Sequence, residues 1–236
     1  MNEQNSNSGL NHQVNILVKV FSEPKQAFEV IKNTSTWVFP IILSLVFSII
    51  FMYSTIDIQK ELQKTTIMQN ERIPEEYKDK ALEDMEKPSF FRDSIMPAIS
   101  GTIITFVFPL FIALVLFVFG NFIFGGKSTY KINFAAACWA GMIGLVEMII
   151  KLPLILHKES MEIYTSLALL MDASQSKTFL FMLLNMVDLF SIWKIIVYAT
   201  AFMVIYNFSK QKSYATIIAL FVVASLIGFG FNQIFS

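Results

Sequence analysis

Cysteine, histidine and charge are all scarce in this chain, and each scarcity removes a class of function. The single cysteine, Cys138, excludes an internal disulfide and a cysteine-rich zinc site. His12 and His157 are far apart in sequence and form no ligand motif. Only 15% of residues are charged, and 18 basic residues balance 18 acidic ones, so no net positive field exists to draw nucleic acid. HExxH and GxSxG are absent, and Cys138 has no histidine near it in sequence, which removes the common hydrolase signatures. No calcium-loop pattern of the DxDxDG type occurs. The GGKST at Gly125 to Thr129 lacks the first glycine of a phosphate loop and follows an apolar run rather than a strand. Residues 1–13 are polar where a signal peptide would carry its apolar core, so the first membrane helix is expected to act as its own insertion signal.

What is abundant is apolar. Hydrophobic residues make up 55% of the chain, 24 of them phenylalanine, and mean hydropathy is +0.58. Runs of roughly 20 apolar residues suffice to cross a bilayer. The expected fold is therefore all-α: a polytopic transmembrane helical bundle of five spans near 37–54, 97–122, 132–156, 183–206 and 214–235. A disordered polar tail is expected over 1–13. Residues 14–35 form an amphipathic segment, with Val14, Ile16, Leu17, Val20, Phe21, Ala27, Phe28 and Ile31 set among Lys19, Lys25 and Lys32. This segment either lies on the membrane surface or packs on the cytoplasmic ends of the bundle. The one sizeable hydrophilic loop, 56–93, is rich in both signs of charge, and its Pro74 to Met85 stretch is expected to be a solvated helix. A short surface helix is expected over Met161 to Met171.

The third span, Ile132 to Leu156, organises the rest. On a helix, Ala137, Ala140, Gly141, Gly144, Glu147 and Lys151 fall within an arc of about 120°. Trp139, Met142, Ile143 and Ile149 point elsewhere. Small residues let helices approach closely in lipid, and ionisable groups there turn inward to find partners. Ala137, Gly141 and Gly144 are thus the expected packing residues. The expected partner is the fourth span, read as one long helix from Phe179 to Phe208, which carries Asp188 and Lys194. Counting from the turns at ~1.5 Å per residue puts Lys151 and Asp188 at one depth, about 27–30 Å, with Glu147 and Lys194 deeper and about 6 Å apart in height. The pairs expected are Asp188 with Lys151 and Glu147 with Lys194, and Glu147 with Lys151 is also spaced i,i+4 in the favourable order. The four charges sum to zero. They form a neutral clasp that sets helix register or, alternatively, a path for ions or protons.

Orientation rests on two tight turns, at Gly125 to Lys131 and Asn207 to Lys212, which carry only lysines beside the span ends. They place the N-terminus in the cytoplasm and the C-terminus outside.

Three pieces in order carry a family likeness: FSEPKQAFEVIKN at Phe21 to Asn33, GGKSTYKINFAAACWAG at Gly125 to Gly141, and DLFSIWKIIVYA at Asp188 to Ala199. Together the chain resembles the Yip1 domain family of five-span membrane proteins, in its short bacterial-type branch, with residues 36–236 as the membrane domain. The resemblance implies a helical bundle with a cytoplasmic N-terminus. Eukaryotic members serve vesicle trafficking with Rab-type GTPases, and this chain lacks their DLYGP-type and GYG-type motifs. The function expected is a non-enzymatic integral membrane protein that organises or scaffolds the membrane, set in the bacterial inner (plasma) membrane. The alternative is a small transporter or proton- or ion-coupled carrier using Glu147, Lys151, Asp188 and Lys194. No catalytic residue, metal or cofactor is expected. The expected partners are the lipid bilayer and either another protein or a second copy, and not nucleic acid.

Overall fold

A segment crossing lipid must satisfy its backbone amides and carbonyls within itself, which a helix does. The computed structural model describes residues 3–70, 72–172, 175–176 and 178–235; Met1, Asn2, Glu71 and Ser236, which fall in ranges given above, lie outside these. The helices are α1 (Glu3–Ser22), α2 (Pro24–Thr34), α3 (Val38–Ser54), α4 (Ile56–Gln69), α5 (Glu75–Glu86), α6 (Met96–Phe117), α7 (Tyr130–Ala140), α8 (Met142–Lys158), α9 (Phe179–Met186), α10 (Leu189–Tyr206) and α11 (Lys210–Phe235). Among the described residues the only strand-like pairing is one bridge, Ser166 to Asp188.

Among the described residues, four stretches are long and apolar enough to cross a membrane: Phe91–Ile123, Tyr130–Lys158, Leu189–Tyr206 and Lys210–Phe231. α3 meets that measure together with α2, from which it is bent by 115°. Its own 17 residues rise about 26 Å. The protein is an all-α, multi-pass membrane bundle.

The bundle is densest at the end that carries the two lysine-bearing turns. α7 is buried on every side from Asn133 to Ala140, packed among α1, α2, α3, α6 and α10. Trp139 is fully buried, stacks on Phe39 with centroids 5.8 Å apart, and donates its indole N–H to the Thr36 carbonyl at 2.7 Å. α2 lays Ala27, Phe28 and Ile31 into the same core, as their i, i+1, i+4 spacing allows. It starts at Pro24, where a missing N–H costs nothing, and stops at Ser35 in the left-handed region. Tyr206 lies flat against a backbone that only glycine permits. A Cβ on Gly120 would sit 2.0 Å from the Tyr206 ring, and one on Gly126 2.5 Å from it. Gly125, at φ +66°, closes the turn between those two contacts.

At the opposite end, the hydrophilic loop holds α4 as well as the expected α5. Lys60 and Arg92 both bond Asp93, at 3.0 and 3.1 Å, and Tyr53 donates to the Ser94 carbonyl at 2.5 Å. These contacts tie the loop to the start of α6.

Several expectations are corrected, though not all. The tail read as disordered is helical from Glu3, because a nucleus at Ile16 and Val20, buried at 2% and 0% exposure, lets α1 extend at little cost. Of the two arrangements expected for the amphipathic segment, the structure shows the packed one, with Ile16, Val20, Ala27, Phe28 and Ile31 in the core of the bundle. The third span holds as one stretch, Tyr130–Lys158, with a single turn residue at Gly141 between α7 and α8. Trp139, Met142 and Ile143, read as facing away from the packing face, are fully buried because α1, α2, α3 and α10 together enclose that stretch. Met161 to Met171 is extended apart from one 3-10 turn at Leu167–Leu170. There the Ser166 hydroxyl bonds Asn185 and that of Thr165 bonds Asp188, side-chain bonds that compete with helix. The fourth span is instead two pieces, broken at Val187 and Asp188.

Candidate intramembrane charge site

The break in the fourth span decides what the charges do. Residues entering a helix leave amides without partners, and an aspartate at the N-cap accepts them. Asp188 does this for α10: one carboxylate oxygen accepts from the amides of Phe190 at 2.9 Å and Ser191 at 3.0 Å. Its other oxygen takes the Thr165 hydroxyl. The expected Asp188–Lys151 pair is therefore corrected. Asp188 stays within electrostatic reach of Lys151, but its bonding is spent on the cap and on the 159–178 connection.

Glu147 occupies the centre instead. It lies on α8, and one oxygen takes Lys151 at 2.6 Å across one helical turn. The other takes Lys194 from α10 at 2.5 Å. Both contacts named for Glu147 in the sequence thus exist at once, on different oxygens. The side chains are 19% exposed for Glu147, 21% for Lys151 and 35% for Lys194, so the triad is half-buried at the α8–α10 seam. Gly144, one turn before Glu147, borders the Lys194 stem: a Cβ there would meet the Lys194 Cε at an ordinary contact distance of 4.0 Å. Gly141 borders Tyr198, whose hydroxyl donates to the Ala137 carbonyl at 3.4 Å. Ala137 is fully buried in a small cluster with Ile41, Ala113, Phe134 and Cys138.

A carboxylate held by two ammonium groups is a poor general base, since both lone-pair directions facing the lysines are occupied. Among the described residues no group of three or more His, Cys, Asp or Glu is placed to hold a metal ion.

Sequence reasoning missed a second polar network at the lysine end. Asn133, fully buried, donates to the Thr129 carbonyl at 2.9 Å and to Ser128 Oγ at 3.3 Å, and accepts from the Tyr206 hydroxyl at 3.1 Å. Asn121 closes the turn by a pair of bonds to the Ser128 backbone, at 2.8 and 3.1 Å. An asparagine inside an apolar run was the available signal, since a buried amide needs partners.

Comparison with known families gives a match over nearly the whole chain. The model of the Yip1 domain matches residues 18–232, which takes in the end of α1, all of α2 and the bundle. No curated protein and no solved structure matches the chain.

Proposed function

Because the chain belongs to the Yip1 domain family, we propose that it is a non-enzymatic membrane-organising or scaffolding protein of the bacterial inner membrane. It sits with its N-terminus in the cytoplasm and its C-terminus outside. The observation that carries this reading is the Glu147 triad. Its one acid is consumed by lysines of two helices, Lys151 and Lys194, and it serves as a clasp between α8 and α10. A carrier needs an ionisable group able to release its partner in turn with transport. Gly141 and Gly144 border Tyr198 and Lys194 of α10 at ordinary contact distance, and Ala137 is buried one turn earlier; in this reading these small residues ease the packing of α7 and α8 against their neighbours.

The test is flux from proteoliposomes holding the purified chain, alongside cross-linking and co-purification from native lipid. The scaffold reading expects no ion or proton flux and a reproducible protein partner or second copy. Flux that is lost in Glu147→Gln would replace it with the carrier reading. Orientation has its own check. On a Cys138→Ala background, cysteines placed at Glu75 are expected to label from outside, and those at Lys127 and Lys210 only after cytoplasmic access is given. The reverse labelling order would invert the topology.

A further inference from the structure

Between α2 and the end of α10 lies an open cleft of about 530 Å³ that the reading above does not use. Lys25, Glu29 and Lys32 recur along one face of α2 and line it, with Asn33 and Asn207 as neutral donors and Phe208 in its apolar floor. Lys32 is half-buried. Its ammonium donates to the Val204 carbonyl at 2.9 Å and to Asn207 Oδ1 at 3.2 Å. An ammonium has three protons, so one is left for an incoming oxygen. Among the described residues neither lysine is ion-paired with Glu29. Behind the floor, the Lys212 ammonium lies 3.9 Å from the Phe208 ring centroid, adding positive field to the same wall. The Glu29 carboxylate, between the two lysines, and the carbonyl ends of α2 and α10 oppose an anion here. Lys32 and the left-handed Asn207 cap offset part of that, because they already satisfy the last carbonyls of α10.

We propose that this cleft binds a phosphate-bearing anion, the phosphodiester of an acidic lipid headgroup or a soluble phosphate, between Lys25 and Lys32. The cations supply charge, the Asn207 amide and the second N–H of Asn33, whose other N–H bonds the Glu29 carbonyl at 3.0 Å, supply neutral donors, and the apolar floor accepts the start of a glycerol or acyl moiety. Lysines beside a membrane span attract acidic headgroups, and Lys25 and Lys32 supply that attraction here.

The experiment reconstitutes the full chain in nanodiscs of phosphatidylcholine with a minor share of phosphatidylglycerol and counts retained lipid by native mass spectrometry. Retention of phosphatidylglycerol over phosphatidylcholine is expected. Lys25→Glu, on an exposed position that leaves the Lys32 bonds intact, is expected to lower that retention by about tenfold or more. Lys64→Glu at the other end is expected to leave it unchanged. Millimolar inorganic phosphate distinguishes the sources: displacement of the lipid, or a rise in melting temperature that Lys25→Glu abolishes, assigns the site to soluble phosphate. Retention despite phosphate assigns it to the headgroup. Equal retention in wild type and Lys25→Glu, with no phosphate-dependent melting shift in either, overturns the proposal.

Discussion

Asn133 to Ala140 and Ile103 to Phe111 are both apolar helical stretches, yet they meet different surroundings. In the first, every side chain is buried against protein. In the second, Ile104, Val107, Phe108 and Phe111 are all more than half exposed. The first lies at the lysine end, where α1 and α2 wrap around α7 and α10. The second faces outward from α6. At the wrapped end, close packing of large side chains holds the helices together as it does in a soluble core. In the outward-facing half, acyl chains cover the apolar surface as well as another helix would, so apolar burial supplies little preference for association. Polar bonds between elements are left to fix the geometry there: the Glu147 triad, the Asp188 cap and the Asp93 ties.

The largest effects are expected where packing carries the load. Trp139→Ala removes the largest fully buried side chain together with its bond to Thr36. A loss of about 3–5 kcal/mol is expected from the cavity alone, read as thermal stability in detergent. Gly120→Ala adds a methyl where Tyr206 already lies, and overpacking of that kind costs about 1–3 kcal/mol or more. Pairing it with Tyr206→Ala should recover part of the loss, since the clash and its cause are then removed together. A Gly120→Ala variant as stable as wild type would show that Tyr206 has room to move and that the wrapped end is looser than described.

Charge comes next. Glu147→Gln leaves two lysines without their counter-ion, and breaking a buried pair costs about 3–5 kcal/mol. The lower end is expected here, because Lys194 is 35% exposed and can turn toward water or headgroups. In double-mutant cycles, Glu147 with Lys194 should couple more strongly than Asp188 with Lys151. Asp188→Ala should cost about 1 kcal/mol through the lost cap. Stronger coupling of Asp188 with Lys151 than of Glu147 with Lys194 would restore the pairing first read from helix depth.

That misreading shows what the sequence carries and what it withholds. Five apolar runs, the amphipathic entry segment and the charged loop are all readable, because bilayer thickness sets their lengths. Helix breaks inside an apolar run are not. Val187-Asp188 continues a run from Phe179 without a glycine or proline, and only the distant Thr165 and Ser166 reveal that the chain turns there. Depth counted along an unbroken helix therefore placed Asp188 opposite Lys151. Burial was missed for a related reason. Trp139, Met142 and Ile143 lie off the small-residue face, and α1 and α2, whose docking position no local pattern states, complete an enclosure begun by α3 and α10. Glu147 was found because a carboxylate in an apolar run demands a partner whatever the fold.

The smallest effect gives the sharpest comparison of the two environments. Ile143 and Ile149 lie on the same helix, six residues apart, and are 0% and 48% exposed. The change Ile→Val removes one methylene from each with no change of charge or polarity. At Ile143 the methylene is enclosed by protein that relaxes only in part, so about 0.5–1.5 kcal/mol should be lost. At Ile149 the neighbours are mobile acyl chains or detergent, which close the gap at once, and a change within about 0.5 kcal/mol is expected. Both variants should be made in the same detergent and melted side by side. If Ile149→Val proves as costly as Ile143→Val, then protein covers Ile149 in the assembled state. The outward-facing half would then be an interface with a second copy, and the contrast between the two ends would belong to the isolated chain alone.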